Sequence, residues 1–134
     1  MEKNINSVLS MDKLIFDEIN FERIGFKKDS SEFDFNIEVL IGFNTKLGTY
    51  KVTIKMLGEK SEEYRLNIAL TGFFSFNGGE DVIGDIPKSE LIEKNAVAIM
   101  MPYLRSQVSL ITAQPNVDCV ILQPFNINSM LSTD

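Results

Sequence analysis

The sequence predicts an α+β domain: a four-stranded antiparallel β-sheet with a long helix from the C-terminal half packed on one face. Four segments between residues 13 and 76 alternate apolar and polar side chains, the period of half-buried strands. Short polar or glycine-containing connections separate them, as is common between antiparallel neighbours. From Asn95 to Gln114 the apolar residues instead recur every three or four positions, which indicates a helix.

The first two predicted strands differ in regularity. Lys13–Ile24 alternates imperfectly, which indicates a β-bulge or a local twist. Glu32–Asn44 is the most regular segment, with Asp34, Asn36 and Glu38 on one face. The residues predicted on its opposite, apolar face are Phe33, Phe35, Ile37, Val39, Ile41 and Phe43.

The third and fourth predicted strands form a hairpin. Tyr50–Met56 is joined to Glu63–Phe76 by a charged loop over Gly58–Glu62. Leu66, Ile68 and Leu70 share one face of the fourth strand. This strand ends in Phe73-Phe74-Ser75-Phe76, where both faces are aromatic, so burial on both sides is expected there.

The helix is predicted to begin near Pro87 or Ser89 and to run towards Gln114, before a proline. Pro102 lies inside it and is expected to cause a kink unless packing compensates. Its two apolar stripes need cover on two sides, one from the sheet and one from a second subunit. An extended segment follows, with Cys119 as a buried, unreactive thiol.

Composition limits the classes of function. The 134 residues predict one domain, with residues 1–10 as a flexible N-terminus and residues 11–134 as the folded part. A net charge of −6 argues against nucleic acid as a partner. No apolar run approaches the roughly 18 residues of a membrane span, so no membrane insertion is predicted.

No catalytic arrangement is found in the sequence. The chain has no histidine, which removes the usual general base and the commonest metal ligand. Gly78-Gly79 lacks the spacing of a phosphate-binding loop, and the acidic residues that follow lack the pattern of a calcium loop. The prediction is a protein that is not an enzyme and has no cofactor or metal.

Two features exceed what folding requires. The first is the aromatic face of the second strand, which either belongs to the core and subunit contacts or forms a groove for extended apolar segments of other chains. The second is the acidity of Glu18, Glu22 and Glu59 beside Leu57. It either keeps the sheet face soluble or forms a docking patch for a basic partner.

Five segments in the same order resemble the bacterial export chaperone SecB. Met101–Arg105 is similar to its Phe-Pro-Tyr-Ala-Arg segment, and Leu122–Asn126 to its Leu-Ala-Pro-Val-Asn element. Gly72–Phe76 resembles Gly-Ile-Phe-Ser-Ile, and Glu18–Glu22 resembles Asp-Ile-Ser-Phe-Glu. Leu57–Glu59 matches a Leu-Gly-Glu turn. The resemblance covers roughly residues 14 to 128 and indicates a divergent member of this family.

The resemblance implies a cytoplasmic, ATP-independent holdase that assembles as a dimer of dimers and delivers unfolded preproteins to the translocation motor SecA. The residues matched to the SecA-docking patch are Glu18, Glu22, Leu57 and Glu59. Those matched to client binding are Phe33, Phe35 and Ile37. Those on the helix face matched to subunit contact are Ala96, Met100, Tyr103 and Gln107.

The sequence also departs from this family. A second helix, which walls the client groove in SecB, would have to lie within Asn126–Asp134, too short for more than about two turns. An altered client is therefore an alternative, and some SecB-like proteins are chaperones of antitoxins. A further alternative is an oligomeric structural or assembly protein with no client. Apolar surface that stays exposed after assembly would distinguish a chaperone from it.

Overall fold

The structure, a computed structural model, describes residues 9–26, 32–76, 82–83 and 86–124. Its main sheet has four antiparallel strands: β1 (Leu9–Arg23), β2 (Asp34–Asn44), β3 (Thr49–Lys60) and β4 (Tyr64–Phe76). The order across the sheet is β1-β4-β3-β2. Two short paired strands, β5 (Val82–Ile83) and β6 (Ile86–Pro87), precede a single long helix, α1 (Lys88–Thr112). The predicted fold class is confirmed.

Two boundaries differ from the prediction. β1 begins at Leu9, which is buried, so residues 9 and 10 of the predicted flexible N-terminus belong to the sheet. Residues 1–8 lie outside the described residues. The predicted loop over Gly58–Glu62 is shorter, because β3 continues to Lys60. Gly58 leaves room for an aromatic ring: a Cβ there would lie 2.4 Å from Cζ of Phe33, so the ring would have to shift.

The predicted irregularity of the first strand is confirmed as two register shifts. They occur between Met11 and Lys13 and between Phe16 and Glu18. An aspartate is the extra residue at each position, and each carboxylate accepts a hydrogen bond from a hydroxyl of β4. Ser75 donates to Asp12, and Thr71 donates to Asp17. These hydrogen bonds compensate for the ladder interactions that a bulge removes.

The second bulge changes which side chains of β1 face the helix. Phe16 lies opposite Leu70, on the side of the sheet that α1 covers, whereas Glu18 lies opposite Ala69, on the other side. Ile15 therefore points to the outer face, whereas Ile19, Phe21 and Arg23 point to the helix side. The alternation divides at the bulge, because one extra residue reverses it.

The core lies between the sheet and α1, which packs mainly on β3 and β4. Leu66, Ile68 and Leu70 are buried on this side, as predicted. Phe74 is also fully buried, whereas Phe73 points to the opposite, outer face and is only partly covered. The expectation that both faces are buried at the end of β4 is thus wrong for Phe73, because no second layer covers the outer face in the described part of the chain.

The helix continues through Pro102 without interruption. Pro102 lies on the solvent side, where the carbonyl group that loses its helical hydrogen bond can bind water. The helix ends at Thr112, close to the predicted end. None of the helices among the described residues combines the length and apolar character needed to cross a membrane.

The segment after α1 folds back along its last turns. Ser109 Oγ donates to the carbonyl oxygen of Val120 at 2.9 Å, and the amide of Val120 donates to Thr112 Oγ1 at 2.9 Å. Lys60 Nζ lies 3.5 Å from Asp118 Oδ2 and connects the segment to the sheet. Cys119 is exposed, so its predicted burial is wrong. The thiol still contacts the helix, since Cys119 Sγ donates to the carbonyl oxygen of Ser109 at 3.4 Å, but nothing in the described chain covers it from outside.

Candidate functional site

An open apolar surface lies on the helix side of β2. The backbone register turns Ile37 and Val39 to the same side as Met56 and Ile54, which are buried. The side chains of β2 are nevertheless only half-buried or exposed, since α1 packs mainly on β3 and β4. We call this surface the β2 shelf, and it consists of Phe33, Phe35, Ile37, Val39, Ile41 and Phe43.

Aromatic contacts hold the end of the β2 shelf next to the core. The ring of Phe33 stacks on Phe35 with centroids 6.0 Å apart and on buried Tyr64 at 6.3 Å. Phe33 also packs over Gly58, where a side chain would displace it. At the other end, Phe43 contacts Tyr50 at 4.6 Å and is 52% exposed. The shelf therefore offers preformed apolar surface along the whole strand.

β2 is also an edge strand. It pairs with β3 on one side and has no strand partner on the other among the described residues. An extended segment of another chain can add to such an edge through main-chain hydrogen bonds and place alternate side chains on the shelf. The three predicted client-binding residues, Phe33, Phe35 and Ile37, lie together on this surface. The neighbouring Val39 was not among them, although its place in the same alternation indicated it.

The predicted docking residues lie on the outer face of the sheet, opposite the helix. Glu22 lies opposite Arg65 of β4, which in turn lies opposite Glu59 of β3. Arg65 Nε is 3.6 Å from Glu59 Oε2, so it partly balances this row of acidic groups. Glu18 lies two pairs further along β1 on the same face. Glu18 and Glu22 point outward together because they are four residues apart in the regular part of β1 that follows the second bulge.

Leu57 is the apolar centre of this acidic surface. It is 58% exposed and lies between two depressions of about 400 and 610 Å³. Glu18 and Glu38 line the smaller one, whereas Glu59 and Asp34 line the larger one. The surface thus offers apolar contact at its centre and negative charge around it, which suits a basic partner with an apolar side chain. Glu38 and Asp34 were not among the predicted residues, although their alternation on the second strand indicated this face.

The predicted helix face for subunit contact is only partly available. Ala96 and Met100 are fully buried in the chain's own core, so their prediction as interface residues is wrong. Tyr103 is 48% exposed, and Gln107 is partly exposed. The error arises because this stripe faces the sheet at Ala96 and Met100 and turns to solvent only further along the helix, at Tyr103 and Leu110. The exposed, uncharged positions of the described helix and its end are Ala98, Pro102, Tyr103, Ser106, Leu110 and Ala113.

No metal site emerges from the described ranges, which hold no group of three or more acidic, cysteine or histidine residues suited to an ion. One buried polar group does lack a partner in this part of the chain. The hydroxyl of Tyr64 accepts and donates no hydrogen bond, although the ring stacks on Phe21 at 4.8 Å. Burial raises the pKa of this phenol, and the negative charges of Glu63 and Asp118 raise it further.

The four-stranded antiparallel sheet with one long helix on its face is a SecB-like chaperone fold. The structure superposes with a TM-score of 0.73 on the SecB-like chaperone Rv1957 of Mycobacterium tuberculosis, solved in complex with a ChAD peptide from the HigA1 antitoxin Rv1956. The match covers 90% of this chain and 93% of that chain at 12% identity. A Streptococcus agalactiae protein of unknown function matches with a TM-score of 0.51 and 6% identity, over 86% of this chain and 96% of that chain. The predicted resemblance is thereby confirmed as a shared fold.

Sequence comparison identifies a relative in an archaeon. The chain is 31% identical over 112 residues to the uncharacterized protein MJ0357 of Methanocaldococcus jannaschii, which is 79% of this chain and 70% of that protein. The chain therefore belongs to the same family as MJ0357. No family model matches it.

Proposed function

We propose that this protein is a cytoplasmic, ATP-independent SecB-like chaperone that binds an extended apolar segment of a client polypeptide on the β2 shelf. The observation that carries this proposal is the shelf itself: five apolar side chains on an edge strand and Phe33 just before it, half-buried or exposed beside a well-covered core. A purely structural domain gains nothing from leaving such a strand uncovered, because exposed apolar edges promote aggregation.

A dedicated client is favoured over general preprotein export. The structural neighbour Rv1957 was solved with an antitoxin peptide, which supports an antitoxin or another single client class for the present chain. The aromatic side chains of Phe33 and Phe35 are consistent with this, because large rigid rings define pockets more narrowly than aliphatic groups do.

Suppression of aggregation tests the proposal. A slowly refolding client is diluted from denaturant and light scattering is followed without ATP. The wild-type protein is expected to suppress scattering, and the double variant Phe35→Ser, Ile37→Ser is expected to lose this effect. Leu40→Ser is the matched control, since Leu40 belongs to the same strand but points to the outer face. Equal loss in the control variant, or full activity of the double variant, would overturn the shelf as the client site.

A second candidate function is docking to SecA through the outer face. It is supported by the grouping of Glu18, Glu22 and Glu59 around exposed Leu57. The double variant Glu18→Lys, Glu59→Lys should weaken SecA binding without changing the fold. Glu93→Lys on α1, on the other side of the molecule, is the control. SecA binding that survives in the double variant, or that is absent from the wild-type protein, would remove this function.

We further propose that the uncharged outer surface of α1 contacts a second copy of the chain. Tyr103 and Leu110 are the large residues on it, and Leu110 is 68% exposed. Leu110→Asp is expected to shift the protein to a smaller species in light scattering coupled to size-exclusion chromatography. Leu47→Asp, in the exposed β2–β3 turn, should leave the size unchanged. An unaltered oligomer in Leu110→Asp would argue against this contact.

A further inference from the structure

The outer face of the sheet carries a third depression, far from the acidic residues around Leu57. It has a volume of about 580 Å³ and lies where β2 turns into β3. Its lining includes the apolar side chains of Leu47 and Phe73 together with Lys46 and Lys51. Phe43 at the end of the β2 shelf also borders it, whereas none of the residues that line the depressions around Leu57 does.

The strand register explains how the pocket is built. Phe73 of β4 lies opposite Lys51 of β3 on one side and Lys13 of β1 on the other. Gly42 of β2 lies opposite Lys51 and contributes no side chain to this row. A Cβ added at Gly42 would have no atom within 4 Å, so the space above it is open. The row therefore consists of a partly buried ring between two lysines, with a vacant position at the edge.

The turn between β2 and β3 forms the other wall and has a defined conformation. Asn44 Oδ1 accepts hydrogen bonds from the amides of Lys46 at 3.0 Å and Leu47 at 3.2 Å. Gly48 has a φ of 65°, which favours glycine. The turn therefore presents Lys46 and Leu47 in fixed positions, and Leu47 is 74% exposed.

Lysines outnumber carboxylates at this end of the face, where Lys13, Lys46 and Lys51 lie with Asp12 and Asp17, whose carboxylates accept hydrogen bonds from Ser75 and Thr71. Lys13, Lys46 and Lys51 form no ion pair within the part of the chain that the structure describes, in contrast to Lys60, which pairs with Glu63. The chain as a whole carries a net charge of −6. The lysines attract acidic ligands to this end of the face, and the carboxylates around Leu57 repel them from the other.

We propose that this pocket binds an acidic segment of a polypeptide in which a carboxylate side chain adjoins a leucine- or phenylalanine-sized side chain. Phe73 and Leu47 would contact the apolar side chain over the open position at Gly42. The ammonium groups of Lys46 and Lys51 would pair with the carboxylate. The proposal goes beyond the binding of apolar client segments, since it assigns a second peptide site of different chemistry to the opposite face of the sheet.

Fluorescence anisotropy with a defined probe tests this site. The probe is a fluorescein-labelled, C-terminally amidated peptide that alternates glutamate with leucine and phenylalanine, and its counterpart carries lysine for glutamate. The acidic peptide should bind more tightly, and raising the salt from about 50 mM to about 300 mM should weaken it several-fold. The double variant Lys46→Glu, Lys51→Glu should weaken binding by about tenfold or more.

Two further variants separate the pocket from general charge. Gly42→Val leaves every lysine in place and fills the open position, and it should also abolish binding; circular dichroism checks that it is folded. Lys55→Glu, on the same face but in the acidic region, is the matched control and should change the affinity less than about twofold. The variant Phe35→Ser, Ile37→Ser should retain binding, which separates this site from the β2 shelf.

Several outcomes would overturn the proposal. One is failure of the acidic peptide to bind, and another is equally tight binding of its lysine counterpart. A third is a loss of affinity in Lys55→Glu as large as that in the double variant Lys46→Glu, Lys51→Glu. Full binding by a folded Gly42→Val variant would show that the pocket is not used. Equal displacement of the peptide by a single-stranded oligonucleotide of matched charge would indicate general attraction of anions instead of a peptide site.

Discussion

β4 and β2 have nearly the same alternation of apolar and polar residues, yet the protein uses the two strands differently. On the helix side of β4, Leu66, Leu70 and Phe74 are completely buried. On the same side of β2, Phe35 and Ile37 pack against the core but are only partly buried. The difference arises because α1 packs over the middle of the sheet and leaves the edge strand open.

This comparison separates stability from binding. A side chain that is removed from water on folding contributes to the free energy of unfolding, at about 25 cal/mol for each Å² of apolar surface. A side chain that stays partly exposed contributes less to the free energy of unfolding, and its remaining apolar surface can contribute to the free energy of binding when a ligand covers it. The covered and the open halves of the same surface should therefore respond differently to equivalent substitutions.

The largest expected effect is in the covered half. Leu70→Ala should lower the free energy of unfolding by about 2 to 5 kcal/mol, because it leaves a cavity under α1. Urea denaturation followed by circular dichroism measures it. Leu40→Ala, an exposed leucine on the outer face of β2, should change stability by less than about 0.5 kcal/mol. Similar losses in both variants would contradict the difference in cover.

A smaller effect is expected where the two halves meet. Gly58→Ala should destabilise the protein by about 1 to 3 kcal/mol, since the new methyl group would collide with the ring of Phe33. Combining it with Phe33→Ala should recover part of this loss in a double-mutant cycle. Strictly additive losses in the double variant would show that Phe33 does not pack over Gly58.

The bulge in β1 gives a more modest prediction on the outer face. Thr71 is buried, donates to Asp17, and its Oγ1 lies 2.9 Å from Thr53 Oγ1. Thr71→Val keeps the shape but removes these hydrogen bonds and should cost about 1 to 2 kcal/mol, as chemical denaturation would measure. Thr53→Val leaves the bond to Asp17 intact and should cost less. A larger loss in Thr53→Val than in Thr71→Val would show that the hydrogen bond to Asp17 is not the main source of this stabilisation.

The smallest effect concerns Tyr64, whose hydroxyl has no partner in the described chain. Tyr64→Phe should raise the stability at pH 7 slightly, by about 1 kcal/mol at most, because it removes a buried hydroxyl that has no hydrogen bond. Because burial raises the pKa of Tyr64, the folded state holds the phenol proton more tightly than the unfolded state does. The protonated phenol therefore contributes its full share to the free energy of unfolding at pH values below the unfolded-state pKa near 10. This contribution falls as the pH rises above that value. Thermal unfolding between pH 9 and 11 should show a shallower decline in Tyr64→Phe, and identical declines would contradict the shift.

Much of the fold could be predicted from the spacing of apolar residues along the chain. Apolar residues recur every two positions in the strands and every three to four positions in the helix, and both periods are local properties of the sequence. The strands, the bulge in β1 and the end of α1 follow from such local patterns. The prediction failed where one residue type has two uses. Gly58 was assigned to a turn, but it lies in a strand and leaves room for the ring of Phe33. Cys119 was expected to be buried because its neighbours are apolar, but those neighbours are themselves partly exposed.

The site was predictable in part for the same reason. Phe33, Phe35 and Ile37 share a face by alternation alone. The resemblance to SecB assigned Ala96 and Met100 to a subunit contact, and the helical pattern could not correct this, because it shows that a face is apolar without showing what covers it. The lysine pocket could not be predicted, because Gly42, Lys51 and Phe73 come from three strands and meet only in the sheet register.

By itself, the sequence determined the number and type of the main elements, the apolar side of each strand, and the negative charge of the chain, because these depend on local spacing and composition. Only the tertiary structure decided which apolar residues are covered. That choice depends on where α1 lies on the sheet, which is a property of packing between distant segments. It makes β4 part of the core and leaves β2 as an open shelf.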